Sequence, residues 1–181
     1  MHRHIIKHCR ACGTAVELRV PDDGDTRERA VCPACGTIHY VNPLLVVGTV
    51  PYLGDQVLLC KRAIEPRYGK WTLPAGFMEL GETMAQGAAR ETAEEAGAEV
   101  EMGAFFSAMS IPRVGQVHVF YLARLLRERF DPGHESLEAR LFTEGDLPWD
   151  ELAFTTVRET LKRFFADRRL GQFGVHDVDI T

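Results

Sequence analysis

The sequence predicts an α/β domain preceded by a small cysteine-rich appendage, and three features carry that expectation. Two tight cysteine pairs, "CRACG" and "CPACG", open the chain. Behind them, β-rich runs such as "LLVVGTVPYL" and "QVHVFYLARLL" alternate with helical stretches. One of those stretches, from Thr83 to Gly97, carries its own start and stop signals. At 181 residues and 45% hydrophobic content, the chain can bury one ordinary core beside an appendage, which excludes a disordered tail protein. A formal charge of −5 argues against a general nucleic-acid binder or a binder of acidic membranes, since both present a dominant basic face. The start "MHRHIIKHCRACG" lacks the apolar stretch of a secretory leader, and the longest apolar run is too short to cross a bilayer, so a cytoplasmic protein is expected.

In a reducing compartment the five cysteines are not a disulfide framework. Four of them, Cys9, Cys12, Cys32 and Cys35, form two C-x2-C turns, each followed by glycine and separated by nineteen residues. Such turns converge two thiolates each on one metal, and two of them complete a tetrahedral four-cysteine zinc site. "TAVELRV" and "RERAV" read as short strands around the turn "PDDGD", as a ribbon hairpin requires. Residues 1–41 are therefore expected to be a zinc ribbon in which the metal staples a segment too small to support its own core. A redox role is disfavoured because no βαβ context surrounds either pair. His2, His4, His8 and His39 lie close by, but four thiolates already close the site. Zinc ribbons also serve as docking surfaces, and the sequence leaves that open.

Residues 42–181 are expected to form the second domain. "LLVVGTVPYL", the turn "GDQ" and "VLLCKRA" read as a hairpin, with Cys60 a small core hydrophobe in its second strand. "EPRYGK" is a loop and "WTLPAG" a short strand. Thr83 and Gln86 match a capping box and Gly97 a C-cap, which predicts a helix from about Met84 to Ala96. Ala85, Ala88, Ala89, Thr92, Ala93 and Ala96 make a stripe of small side chains able to approach a sheet. Gly87 inside that helix points to close approach by a loop. "QVHVFYLARLL", apolar on both faces, reads as a central strand. "DLPWDELAF" reads as a turn, and "TTVRETLKRFFADRRL" as an amphipathic helix with Val157, Leu161, Phe164 and Phe165 inward. The tail "GQFGVHDVDIT" shows no pattern by itself.

Between Gly76 and Ala98 five glutamates accompany one arginine. Glu91, Glu94 and Glu95 stand at i, i+3 and i+4 on one helical turn, where like charges repel. Taken alone, three helical glutamates read as a solvated acidic face. A divalent cation gives them another reason to gather, because magnesium and manganese prefer hard oxygen ligands on a rigid element. The neighbouring letters favour the second reading. From Gly76 the chain follows G-x5-E-x7-R-E-U-x-E-E-x-G-U, U being a bulky aliphatic residue, with Gly76, Glu82, Arg90, Glu91, Glu94, Glu95 and Gly97 all in place. Seven such matches arise by chance on the order of once in a million. This stretch resembles the Nudix box of the Nudix hydrolases, from which it departs at Thr92 and Ala98, where bulky aliphatics are usual.

The resemblance implies an α/β/α sandwich with a mixed sheet and an enzyme that splits the pyrophosphate of a nucleoside diphosphate linked to another moiety, using Mg²⁺ or Mn²⁺. It implies that Glu91, Glu94 and Glu95 bind the cations, with the carbonyl of Ala75 as a further ligand and Glu91 or a neighbour taking the water's proton. Arg90 then orients the glutamates and Glu82 braces the loop. A further carboxylate is usual downstream, and "PGHESLEARLF" offers Glu135 first and Glu138 second. Phe77, Phe106, Arg113 and Gln116 flank the expected cleft for a small dinucleotide substrate. A four-cysteine ribbon ahead of such a domain resembles the NADH pyrophosphatases, but their S-Q-P-W-P-F-P-Q array is absent from "SAMSIPRVGQVHVFYLARL". From Cys9 to about Leu170 the chain is similar to plant chloroplast FAD pyrophosphatases and their bacterial relatives, which implies FAD or ADP-ribose as substrate. Homodimers are common in the family. NADH cleavage, removal of a dinucleotide cap from RNA, and a nucleotide sensor that docks a partner through its ribbon without catalysis are the alternatives.

Overall fold

The computed structural model describes residues 6–181, so His2 and His4 lie outside the described residues. The chain divides into two compact units, Met1–Pro43 and Leu44–Thr181.

In the first unit the two cysteine turns are built alike. The carbonyl of Cys9 accepts from Gly13 N at 2.9 Å and that of Cys32 from Gly36 N at 3.0 Å. Both glycines sit in the left-handed region, at φ 75° and 73°, where a side chain would be strained. Strands β1 (Glu17–Arg19), β2 (Arg29–Val31) and β3 (Ile38–His39) form an antiparallel sheet in that order. The third strand goes beyond the expected hairpin: after the second turn the chain folds back, pairing Ile38 with Val31. Asp25 organises the β1–β2 turn, accepting from Arg27 N at 3.0 Å and from Arg29 Nε at 2.7 Å.

The second unit is one mixed sheet between two helices. Its strands are β4 (Leu44–Leu53), β5 (Gln56–Arg62), β6 (Trp71–Thr72), β7 (Ala75–Phe77), β8 (Val100–Ile111), β9 (Gln116–Leu125), β10 (Ser136–Phe142) and β11 (His176–Asp179). They lie in the order β10-β5-β4-β9-β8-β11, with β6 paired to β5 and β7 to β4. The β4/β9 and β8/β11 pairs are parallel and the others antiparallel. Alternation along β5 shows how two faces are buried at once. Val57 and Leu59 join the core under helix α2 (Thr155–Leu170), with its Val157, Leu161, Phe164 and Phe165. Leu58 and Cys60 point the other way, onto Ala96 and Ala98 at the end of helix α1 (Met84–Ala96). No helix among the described residues is long and apolar enough to cross a membrane.

Two segments differ from the sequence expectation. "WTLPAG" is not one strand: Pro74 has no N–H to give a ladder, and the chain breaks there into β6 and β7, which pair with different neighbours. The tail "GQFGVHDVDIT" is an added edge strand, β11, paired with β8 from His176↔Ser107 to Asp179↔Ser110. Asp167 secures it, accepting from Gly174 N at 2.9 Å and lying 2.8 Å from His176 Nε2.

On β9, His118 is buried at the first turn of α2, with Nδ1 3.0 Å from Thr156 Oγ1 and Nε2 3.0 Å from Gln116 Oε1. Because the amide oxygen can only accept, Nε2 carries the proton and the Thr156 hydroxyl donates to Nδ1. Burial holds the imidazole neutral and lowers its pKa to about 4. Below pH 6.5 the unfolded chain takes up a proton that the folded chain refuses until about pH 4, so stability falls as the pH drops through that window. Urea denaturation from pH 7 to pH 4.5 should show the wild type losing ~2–3 kcal/mol more than His118→Gln. Parallel pH profiles for the two proteins would contradict this.

Candidate active site

Helix α1 starts and stops where its sequence dictates. Thr83 Oγ1 accepts from Gln86 N at 3.2 Å while Gln86 Oε1 accepts from Thr83 N at 2.8 Å. Gly97, left-handed at φ 58°, donates to Ala93 O at 2.9 Å. Its buried side differs from the expected small stripe. Gly87, Ala88, Thr92, Glu95 and Ala96 face inward, while Ala93 is exposed and Ala85 and Ala89 are half-buried. The reason is Glu95, which turns toward the sheet because the N–H of Ala75, on β7, donates to its Oε2 at 3.1 Å. The three glutamates therefore span the helix edge: Glu95 is buried, Glu91 half-buried and Glu94 exposed.

Arg90 gathers the rest. Its Nε and Nη2 grip the Glu82 carboxylate at 3.0 and 2.9 Å, and its Nη1 donates to Glu91 at 2.7 Å and Glu94 at 2.9 Å. Nη2 also donates to Phe77 O at 3.1 Å, and Glu82 accepts from Glu79 N at 2.7 Å. One planar guanidinium thus joins the 76–82 loop to the helix, which its fixed fork of donors suits. Close packing explains two glycines. A Cβ on Gly76 would stand 2.3 Å from the Glu91 carboxyl, and one on Gly87 2.5 Å from Glu82 Oε1 and 2.8 Å from Val47 Cγ2. At Gly87 the approaching group is therefore the loop's carboxylate and a strand side chain, not loop backbone.

This packing sets the electrostatics. Arg90 holds Glu82 below the usual carboxylate range. Burial pushes Glu91 up, against the pull of Arg90. Burial pushes Glu95 up to about 8, with the Glu91 charge adding to it, and Glu135 lies near enough to raise both. Glu91 and Glu95 are thus held where ionisation is costly, and a single guanidinium serves Glu82, Glu91 and Glu94. A hard divalent cation fits such an oxygen-only, charge-rich set. The four cysteines fit a different ion. Cys9 and Cys35 sulfurs are 3.6 Å apart, Cys12 and Cys32 3.4 Å, and Cys12 and Cys35 3.6 Å. Zn–S bonds of about 2.3 Å make a tetrahedron with edges of about 3.8 Å. Among the described residues this is the only group of three or more His, Cys, Asp or Glu whose ligand atoms all lie within 4.8 Å of one another. His8 and His39 do not belong to it, and Arg90 stands between Glu91 and Glu94.

The remaining candidates separate. Phe77 is exposed on β7 beside Arg90. Arg113 is exposed in the turn between β8 and β9. Gln116 is engaged with His118. Phe106 is a correction: it is fully buried against Phe164, Phe173 and His176 on the α2 side, so its ring is core and offers no face to a ligand. Glu135 is half-buried just ahead of β10, and Glu138 lies 3.9 Å from Arg140. Cys60 is buried, its thiol pushed up by burial and by Glu95. The sequence reading missed Gly133, which lays the 131–135 loop on the end of α1, where a Cβ would stand 2.0 Å from Glu94 O. Its only signal was the Pro-Gly dipeptide. It also missed Thr49, whose hydroxyl meets Thr92.

Residues 43–166 match the NUDIX domain model and residues 7–41 the Nudix N-terminal model. A solved NUDIX hydrolase from Nitrosomonas europaea is 50% identical, with 97% of this chain and 100% of that chain covered and a TM-score of 0.90. An ADP-ribose pyrophosphatase from Streptococcus suis has a TM-score of 0.63 at 26% identity, covering 75% of this chain and 99% of that one. Among curated relatives, NAD-capped RNA hydrolases NudC from Photobacterium profundum and Stutzerimonas stutzeri are 29% and 30% identical over 92% of this chain. The chain spans only 59% and 58% of their lengths. The domain match covers the loop and helix in which Arg90 gathers its glutamates, and this chain belongs to the NUDIX domain family, with the Nudix N-terminal module ahead of that domain.

Proposed function

We propose that residues 42–181 are a divalent-cation-dependent diphosphatase that hydrolyses the pyrophosphate of a nucleoside diphosphate linked to another moiety, FAD (to FMN and AMP) or ADP-ribose foremost. The observation that carries this reading is the Arg90 network, which holds Glu82, Glu91 and Glu94 together beside the buried Glu95. In it Glu91, Glu94, Glu95 and the Ala75 carbonyl hold Mg²⁺ or Mn²⁺, with Glu135 as the downstream ligand. When bound, the cation neutralises the pyrophosphate and activates the attacking water. Glu91 or a neighbouring glutamate accepts the proton of that water. Arg90 and Glu82 position the carboxylates, and the exposed ring of Phe77 offers a stacking face to adenine or flavin. Arg113 is exposed and free to meet a phosphate or ribose. Residues 1–41 are a zinc-stapled module, and the protein works in the cytoplasm as a monomer or homodimer.

The ADP-ribose reading draws support from the Streptococcus suis neighbour, and FAD from the sequence segments outside the box. The NudC relatives favour a second reading, NAD-linked substrates, against which stands the missing aromatic array.

Purified protein should release products from FAD or ADP-ribose with Mg²⁺ faster than from NADH or NAD⁺ at equal concentration, and Glu94→Gln should lower kcat by about 10² or more. Faster NADH or NAD⁺ turnover would move the assignment to the second reading, and tight binding without cleavage would make the protein a sensor. Metal analysis should give one zinc per chain, lost in a Cys12→Ser, Cys35→Ser double variant. Iron in its place, or metal retained by that variant, would contradict the zinc assignment.

A further inference from the structure

The turn of α1 that carries the glutamates also holds a buried polar pair that the charge network does not use. Where the box pattern has a bulky aliphatic residue after Glu91, this chain has Thr92, fully buried. Opposite it on β4 stands Thr49, equally buried, with the two hydroxyl oxygens 2.6 Å apart. Each hydroxyl has one proton to give. Thr92 gives its proton to Ala88 O at 2.8 Å, so Thr49 donates to Thr92. Thr49 N donates in turn to Pro74 O at 3.2 Å, and the next residue, Ala75, donates to Glu95. Glu95 lies one turn along α1 from Thr92, which closes a ring of contacts. The ring is tight: a Cβ on Gly48 would stand 2.4 Å from Ala75 Cβ and 2.5 Å from Pro74 O.

An aliphatic side chain at position 92 would pack against β4 without direction, because apolar attraction has none. A hydrogen bond in a dry core selects one position, since sliding would strand the Thr49 hydroxyl proton, while Thr92 keeps its own bond to Ala88 O within the helix. We infer that Thr49 and Thr92 are positioning residues whose hydrogen bond fixes α1 along β4, so that Glu91 and Glu95 keep the geometry in which they hold a divalent cation. The inference rests on the proposed cation-dependent chemistry, to which neither threonine contributes a contact of its own.

The test is the Thr49→Val, Thr92→Val double variant, which removes both hydroxyls and strands neither, with Thr92→Ser and Thr49→Ser as conservative variants. Two quantities are read on the zinc-loaded full chain: Mn²⁺ affinity from the electron paramagnetic resonance of free Mn²⁺, and amide exchange at Ala75 without divalent cation. The double variant should stay folded, bind Mn²⁺ about tenfold more weakly and lower kcat with little change in KM, as loss of a ligand's supporting contact does. Its Ala75 amide should exchange at least about tenfold faster, as expected once the hydrogen bond to Glu95 opens locally. Both serine variants should behave as the wild type. A folded double variant with wild-type Mn²⁺ affinity and wild-type Ala75 exchange would overturn the inference and leave the pair a core filler. Ala75 exchange that depends on the pair, in a chain that cleaves no dinucleotide, would sink the proposed activity and support only the part of the inference that the pair fixes α1 along β4.

Discussion

Negative charge crowded onto one helical turn, with one guanidinium to hold it, is the constraint on which the second unit is built. Glu82, Glu91 and Glu94 all lean on Arg90, and Glu95 leans on a single backbone N–H. Carboxylates repel one another and resist burial, so this arrangement stands only if every neighbouring element delivers its contact. The loop supplies Glu82, β7 supplies the Ala75 N–H and the Phe77 carbonyl, and the sheet supplies a rigid floor.

That floor explains features that look unrelated in the sequence. Gly76 and Gly87 are bare so that the Glu91 and Glu82 carboxylates can lie directly on backbone. Pro74 stands between β6 and β7, where the chain changes partner so that the following residues pair with β4. Helix α2 and the β11 strap protect the opposite face, where Phe106 and Phe164 fill the core. The first unit follows another logic: its two left-handed glycine turns bring four sulfurs to one tetrahedral grouping, and its three short strands bury little else. The two units thus gather opposite kinds of ligand atom, hard carboxylate oxygens about a guanidinium in one and four soft cysteine sulfurs in the other.

Much of this was legible in the letters because the signals are local. The capping box, the C-cap glycine and the Glu82-to-Gly97 spacing lie within one loop and one helix, where sequence distance and spatial distance agree. What was not legible depends on long-range contacts. Glu95 shares a helical edge with Glu91 and Glu94 by periodicity, yet it turns inward because a strand twenty residues earlier offers it a hydrogen bond. Phe106 and Phe105 are adjacent on β8, and only the sheet's pairing decides which faces α2 and which faces Tyr121. The tail's four-residue strand has too few residues to show a period, and its place is set by Asp167 and β8. Thr92 reads as a departure from a pattern until Thr49, forty-three residues away, stands opposite it.

Glu91 and Glu94, which Arg90 gathers, form the proposed divalent-cation site with the buried Glu95. Crystals soaked in MnCl₂ and measured at the manganese edge test it most directly. An anomalous peak is expected about 2.1 Å from carboxylate oxygens of Glu91, Glu94 and Glu95. Arg90 should keep Glu82 while loosening its hold on Glu91 or Glu94. A map with no peak at these glutamates, at Mn²⁺ concentrations that support turnover of related diphosphatases, would contradict the proposed site and return the acidic turn to a structural role.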